Sequence, residues 1–334
     1  MQYIKLNEII IINMLIILGL LSSCNSGGSR TNQVSNSLSS ATKPQNSLVI
    51  KNGESVNIPE LNALIPLIKV KTKHGYRLCT GVFLEPNKVL TAGHCIIKLH
   101  YKAVNQYYVP EDVYPPERVS VMFPKNLIKP INYGHDKSRH WTKYPVQAVY
   151  VKLDVFAGIN ILSKDLTIYD YEKINDLAII ELSKAPKYKF HMQLASVAPE
   201  IGTEQIVVGF GYNNGKNAKN QAESNTDDGL IRMAKTIVSN ITRVDRPRTL
   251  RIGGAVTDND PDIVACKGDS GAPSLSYNES SLSYIVTGIR SLGYGVGLCS
   301  FLPDVYMSVA HYKDWIESGY LTDSLRIGKF PNLQ

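Results

Sequence analysis

Cys266-Lys267-Gly268-Asp269-Ser270-Gly271-Ala272-Pro273 is the stretch on which the reading of this 334-residue chain turns. Glycines flank a serine on a tight loop, and Cys266 stands where a disulfide could pin that loop from behind. A serine hydroxyl alone is a poor nucleophile. It needs a base within hydrogen-bond reach and donors aimed at the negative charge that develops on an attacked carbonyl oxygen. Glycine immediately before Asp269 lets the N–H groups of Gly268 and Ser270 turn towards such a charge, which makes them candidate oxyanion donors. The octapeptide by itself is weak evidence, and a plain turn is the more ordinary reading of it.

Working outward, the base is sought in Leu90-Thr91-Ala92-Gly93-His94-Cys95, a strand end followed by small residues that can project an imidazole into a cleft. A lone histidine is more often surface or core filler. Here it precedes a cysteine, and Cys79 lies upstream, so a disulfide could fix the loop that carries it. A third group sits in Ile174-Asn175-Asp176-Leu177-Ala178-Ile179-Ile180, an aspartate leading an apolar strand. Buried beside a histidine, such a carboxylate orients the ring and stabilises the imidazolium formed during proton transfer. Its plain alternative is a strand-entry turn residue.

Composition sets the bounds. The chain is 43% hydrophobic and 19% charged with a formal net charge of +7, ample for one large or two small cores. No run of like charges is long enough for a nucleic-acid arm, so no nucleic-acid partner is expected. Short β-branched and aromatic runs at Leu64 to Val70, Val146 to Leu153, Ile206 to Phe210 and Ile285 to Ile289 alternate with Gly, Pro and Asn clusters, which reads as mostly β. Apolar residues recur at helical spacing only at Val309, Tyr312, Trp315 and Ile316, which predicts one helix over 309–318.

The N-terminus reads as an address. Lys5 precedes an apolar stretch from Ile9 to Leu21 that is too short to span a bilayer comfortably, and Leu21-Ser22-Ser23-Cys24 follows. Apolar, small, small, cysteine resembles the bacterial lipobox, which implies cleavage before Cys24 and acylation of that residue; an ordinary secretory signal is the alternative. Residues 1–23 are therefore read as a signal peptide and 24–49, rich in Ser, Asn and Gly, as a flexible tether or propeptide. An exported chain fits its cysteines. Beyond Cys24 four remain, Cys79, Cys95, Cys266 and Cys299, which allow two disulfides in any of three pairings.

TAGHC, NDLAII and CKGDSGAP, in the order His, Asp, Ser, resemble the trypsin and chymotrypsin family of serine proteases. Further matches are Gly209-Phe210-Gly211, Thr287-Gly288-Ile289-Arg290-Ser291-Leu292-Gly293, Pro303-Asp304-Val305-Tyr306 and Tyr312-Lys313-Asp314-Trp315-Ile316. The resemblance covers residues 50–320, leaving 321–334 as a tail. It implies an all-β fold of two six-stranded antiparallel β-barrels with the active site between them and a C-terminal α-helix. It also implies a triad of His94, Asp176 and Ser270, an oxyanion hole at Gly268 and Ser270, and bridges Cys79–Cys95 and Cys266–Cys299. The activity implied is that of an exported endopeptidase acting on proteins or peptides through an acyl-enzyme, with no cofactor and with membrane contact only through a lipid anchor. Localisation would be the cell envelope, or alternatively secretion. A catalytically silent binding protein or adhesin of the same family is the rival reading.

This sequence departs from the family pattern in several places. Ala272 stands where a second glycine is usual. The interval from His94 to Asp176 is long, so an insertion is expected within 98–165, with Tyr107, Tyr108, Tyr133, Trp141 and Tyr144 as candidates for an accessory surface. His135 and His140 match no metal-ligand spacing, and no metal site is expected. By the resemblance, the pocket for the side chain before the scissile bond is built from Val264, Ala265, Ser291, Leu292, Gly293 and Asp304. Val264 stands where basic-specific members carry an aspartate, which leaves Asp304 as the carboxylate expected either to receive a basic side chain or to narrow the pocket. Ile50-Lys51-Asn52-Gly53-Glu54 resembles a mature N-terminus whose amine would pair with Asp269, but Val49 before it does not suit trypsin-type cleavage, so an activating protease remains an expected partner only in outline.

Overall fold

Strand β1 (Leu67–Thr72) shows how this chain builds a sheet: Ile68 and Val70 are fully buried while Lys69 and Lys71 stand on the other face. The alternation recurs along Val119–Pro124 and Arg232–Ile241, while Glu204–Gly209, Thr249–Ile252 and Asp304–Ser308 are buried almost throughout. In a computed structural model of the protein, the described residues are 54–56, 58–102, 107–127, 141–152, 175–211, 231–241, 248–253, 265–293 and 303–328. All of them belong to one compact unit, 46–334.

The first barrel contains β1, β2 (Gly75–Thr80), β3 (Val82–Leu84), β4 (Lys88–Thr91), β5 (Val119–Pro124), β6 (Trp141–Tyr144), β7 (Val146–Lys152) and β8 (Ala178–Leu182). β2 bends through Gly81 into β3, and β6 bends through Pro145 into β7, so each pair acts as one strand shared between two sheets. With β1 paired to β2 and β5, β3 to β4, β4 to β8, β8 to β7, and β6 to β5, six antiparallel strands close on themselves. Inside, Phe83 and Phe123 meet edge to face at 5.7 Å, and Tyr144 and Tyr188 pack against Phe123.

The second barrel uses β9 (Glu204–Gly209), β10 (Arg232–Ile241), β11 (Thr249–Ile252), β12 (Pro273–Asn278), β13 (Ser283–Leu292) and β14 (Asp304–Ser308). The order β10-β9-β12-β13-β14-β11 returns to β10, again fully antiparallel. Two six-stranded barrels are therefore present, as expected. Helix α2 (Val309–Glu317) then leaves β14 and buries Val309, Tyr312, Trp315 and Ile316, the four positions its periodicity picked out.

Two sequence expectations change. The run from Leu64 to Val70 is not one strand: Leu64 ends a short helix, α1 (Pro59–Leu64), which has proline in its first turn, and the strand starts at Leu67. Six residues are too few to display a helical period. The insertion expected within 98–165 leaves room for β5, β6 and β7, which are barrel strands, but the accessory surface expected there changes. In that segment, Ile97–Lys102 and Tyr107–Val113 form an added antiparallel hairpin. Trp141 and Tyr144 serve the interior, Trp141 against Phe210 at 5.5 Å, and are no accessory surface. Tyr133, His135 and His140 lie outside the described residues.

Candidate active site

His94 follows β4 on the single helical turn Gly93–Ile96, and Asp176 stands two residues before β8. Since β4 and β8 pair antiparallel, with Thr91 opposite Ala178, their ends bring the two side chains together from 82 residues apart. His94 Nδ1 lies 2.7 Å from Asp176 Oδ2, and the His94 backbone N–H donates to Oδ1 at 2.7 Å. The Ser291 hydroxyl donates to Oδ2 at 2.5 Å. Asp176 is only 2% exposed. Burial by itself would raise its carboxyl, but the adjacent imidazole charge and the bonds from His94 and Ser291 outweigh burial and hold the group below the usual carboxylate range. This pair keeps the ring nitrogen Nδ1 occupied and leaves Nε2 as the basic atom.

Neighbouring groups hold the pair in place. Arg77 donates from one guanidinium nitrogen to the carbonyls of His94 and Ile97, at 2.5 and 2.8 Å, and so ties down the end of the histidine turn. Tyr312 of α2 donates to the side chain of Asn175 at 2.7 Å, next to Asp176. The Cys79–Cys95 disulfide, expected from the resemblance, is formed. It also explains why Cys79, His94 and Cys95 crowd together without offering a metal site: both sulfurs are bonded to each other and Nδ1 to Asp176.

The serine loop enters from the second barrel. Its core is Asp269, fully buried, whose carboxylate accepts N–H bonds from Gly211 at 2.7 Å and Cys266 at 2.8 Å. Burial, opposed by the charge of Arg290 and by those two bonds, pushes this carboxyl up to about 6. Gly271, at φ +81°, sits so close that a Cβ would lie 2.1 Å from Thr91 Oγ1 and 2.3 Å from the Thr80 carbonyl oxygen, so only glycine fits. Gly271 and Arg290 join the loop to β13, through Gly271 N–H to Arg290 O and Arg290 N–H to Ala272 O, each at 2.8 Å. The Ser270 carbonyl accepts the Thr80 N–H at 2.8 Å, and Cys95 Sγ lies 3.7 Å from it, so the serine is seated beside the histidine turn. Among the loop's N–H groups, those of Cys266, Asp269, Gly271 and Ala272 have protein acceptors, whereas those of Gly268 and Ser270 have none. Ala272 is buried, its methyl accommodated in the spot where a glycine is usual.

Asp304 is already engaged within the protein. It is not a carboxylate awaiting a partner: Oδ1 accepts from Arg290 at 2.9 Å, in an ion pair about 5% exposed on each side, and Oδ2 accepts the Ala265 N–H at 3.1 Å. The Ser291 hydroxyl bonds to Asp176, Leu292 ends β13 and Gly293 follows it. Val264, Cys299 and Cys24 lie outside the described residues; Cys266 is disulfide-bonded. Sequence reading missed Arg77, Thr80 and Arg290, because nothing in their local motifs marks a residue whose partner is far along the chain.

A histidine–aspartate pair on one antiparallel barrel, set against a glycine-bounded serine loop from a second, defines the double-barrel serine peptidase class. The trypsin family model matches residues 61–119 and 155–316, and the chain belongs to the trypsin family. Among its relatives are phenoloxidase-activating enzyme 1 of Spodoptera litura, 26% identical over 271 residues that cover 75% of this chain and 62% of that protein. Trypsin epsilon of Drosophila erecta is 29% identical over 154 residues, 43% of this chain and 54% of the relative. Chymotrypsin-C of Bos taurus is 27% identical over 257 residues, 71% of this chain and 76% of the relative. The chain thus spans less than two thirds of the first two.

Proposed function

We propose that this chain is an exported serine endopeptidase with His94, Asp176 and Ser270 as its catalytic triad. The observation that carries the reading is the buried Asp176 carboxylate, held anionic and bonded to His94 Nδ1, beside a serine loop whose Gly268 and Ser270 N–H groups are left without protein acceptors. In this mechanism Ser270 Oγ attacks the scissile carbonyl while His94 Nε2 takes its proton, and Asp176 stabilises the imidazolium. The free N–H groups of Gly268 and Ser270 hold the oxyanion. Collapse releases the amine with the proton from His94, leaving an acyl-Ser270 that water then hydrolyses by the same route. Residues 50–320 form the bulk of the peptidase domain, 1–23 a signal peptide and 24–49 a tether, whereas 321–334 is not simply a tail, because Ser324–Gly328 pairs antiparallel with β7. Acylation of Cys24 would anchor the protein to an envelope membrane, and metabolic fatty-acid labelling that is unchanged in Cys24→Ala would refute it.

The deciding experiment is labelling of the purified protein with a fluorophosphonate, together with peptide hydrolysis. The wild type is expected to label at Ser270 and to hydrolyse peptides, with Ser270→Ala losing about 10⁴-fold or more while its melting temperature holds. A folded wild type that neither labels nor cleaves would instead make the chain a silent binding member of its family.

A further inference from the structure

Thr80, the last residue of β2, is completely buried, and every polar atom it owns is committed. Its N–H donates to the Ser270 carbonyl at 2.8 Å, and its carbonyl accepts from the Thr91 hydroxyl at 2.8 Å. Its hydroxyl donates to the Gly268 carbonyl at 2.9 Å and accepts the Phe210 N–H at 3.1 Å. One side chain from the first barrel thereby holds two separate pieces of the second, the loop that carries the serine and the end of β9. We propose that Thr80 is a positioning residue for catalysis, a latch that holds the Gly268 carbonyl and thereby restrains rotation about Gly268, keeping its N–H towards the oxyanion. The proposal rests on the serine-peptidase reading above.

The physical case lies in Gly268. Its φ is +99°, a conformation from which a glycine rotates at little cost. Turning its N–H away from the site requires rotation about Gly268 itself, and the carbonyl on its far side is the group that Thr80 Oγ1 grips. With the hydroxyl gone, the Gly268 carbonyl and the Phe210 N–H are both left buried and unpaired. The loop then gains by any rotation that finds them new partners. Thr80 touches neither the substrate nor the reacting atoms. Its effect should appear where the oxyanion forms and not where the substrate first binds.

Thr80→Val keeps the shape and deletes only the hydroxyl, Thr80→Ser keeps the hydroxyl, and Thr80→Ala covers the case in which the valine protein does not fold. All are compared with the wild type by steady-state peptide hydrolysis, by the rate of fluorophosphonate labelling and by the affinity for a peptidyl trifluoromethyl ketone, which forms an oxyanion on addition of the serine. We expect kcat of Thr80→Val, or of Thr80→Ala in its place, to fall about 10- to 100-fold, short of the loss from deleting an oxyanion donor outright. KM should move less than about threefold, ketone affinity should fall in step with kcat/KM, and Thr80→Ser should recover to within about threefold of the wild type. An unchanged kcat, a loss confined to KM, or a serine variant no better than valine overturns the latch. A wild type that the fluorophosphonate does not label at Ser270 overturns the peptidase reading itself and takes this proposal with it.

Discussion

Asp176 and Asp269 are buried carboxylates, one in each barrel's contribution to the site, and they are driven in opposite directions. Asp176 receives three hydrogen bonds, two from His94 and one from Ser291, and is held below the usual range. Asp269 receives two backbone N–H bonds, has Arg290 as its opposing charge while that guanidinium is directly paired with Asp304, and is pushed up to about 6. Burial is common to both, so the number and charge of donors decides which form of the acid is favoured. The difference matches what each region has to do. In the proposed mechanism a carboxylate that stabilises a transient imidazolium has to stay ionised, whereas one that anchors a loop needs its geometry more than its charge.

Removing the charge from Asp176 should give the largest effect. Asp176→Asn keeps the shape but presents an amide to His94, which can no longer be held in the required tautomer, and kcat should fall about 10⁴-fold near neutral pH. Steady-state hydrolysis at pH 7 measures this, and a loss below tenfold would break the assigned contrast with Asp269.

Next comes the cation that Asp269 depends on. Asp304→Asn removes the negative charge that faces buried Arg290, and denaturant unfolding should show a loss of roughly 3–5 kcal/mol. Because both Asp304 oxygens are already engaged, wild-type cleavage of matched peptides should show no preference for Lys or Arg before the scissile bond. A strong basic preference would mean that substrate displaces Arg290 from the pair.

The smallest effect sharpens the comparison through pH. The Asp269 carboxyl sits near 6 in the folded protein, above its ordinary 3.8. Its contribution to stability is therefore fully present below the ordinary carboxylate range and is lost as pH rises through about 6. Asp176 works in the reverse sense, its contribution being lost only as pH falls. In Asp269→Asn the first component is absent, so the melting temperature of the wild type relative to this variant should rise by a few degrees from pH 6.5 to pH 4. Parallel melting curves across that window would show that Asp269 is not raised.

The sequence was most legible where chemistry is local. His94, Asp176 and the serine loop each announce themselves through short motifs, because a turn that presents a reactive side chain restricts its own neighbours, and the helix over Val309–Glu317 showed its period because one face is buried. Short β-branched and aromatic runs separated by Gly, Pro and Asn clusters told of sheets, and the barrel closure was expected from family resemblance. Helix α1 was hidden because six residues carry no period, and the role of Trp141 was hidden because an aromatic side chain reads the same whether it faces solvent or Phe210.

What the sequence alone determined is the chain order of the motifs that carry the proposed triad, together with the mostly β pattern. What only the tertiary structure decided is who neutralises whom. Arg290 with Asp304, Thr80 with Gly268, and Arg77 with the end of the histidine turn are pairings made across strands and between barrels. A buried polar group must find a partner, but propensity and periodicity are local, and which distant residue supplies that partner is known only once the barrels have closed.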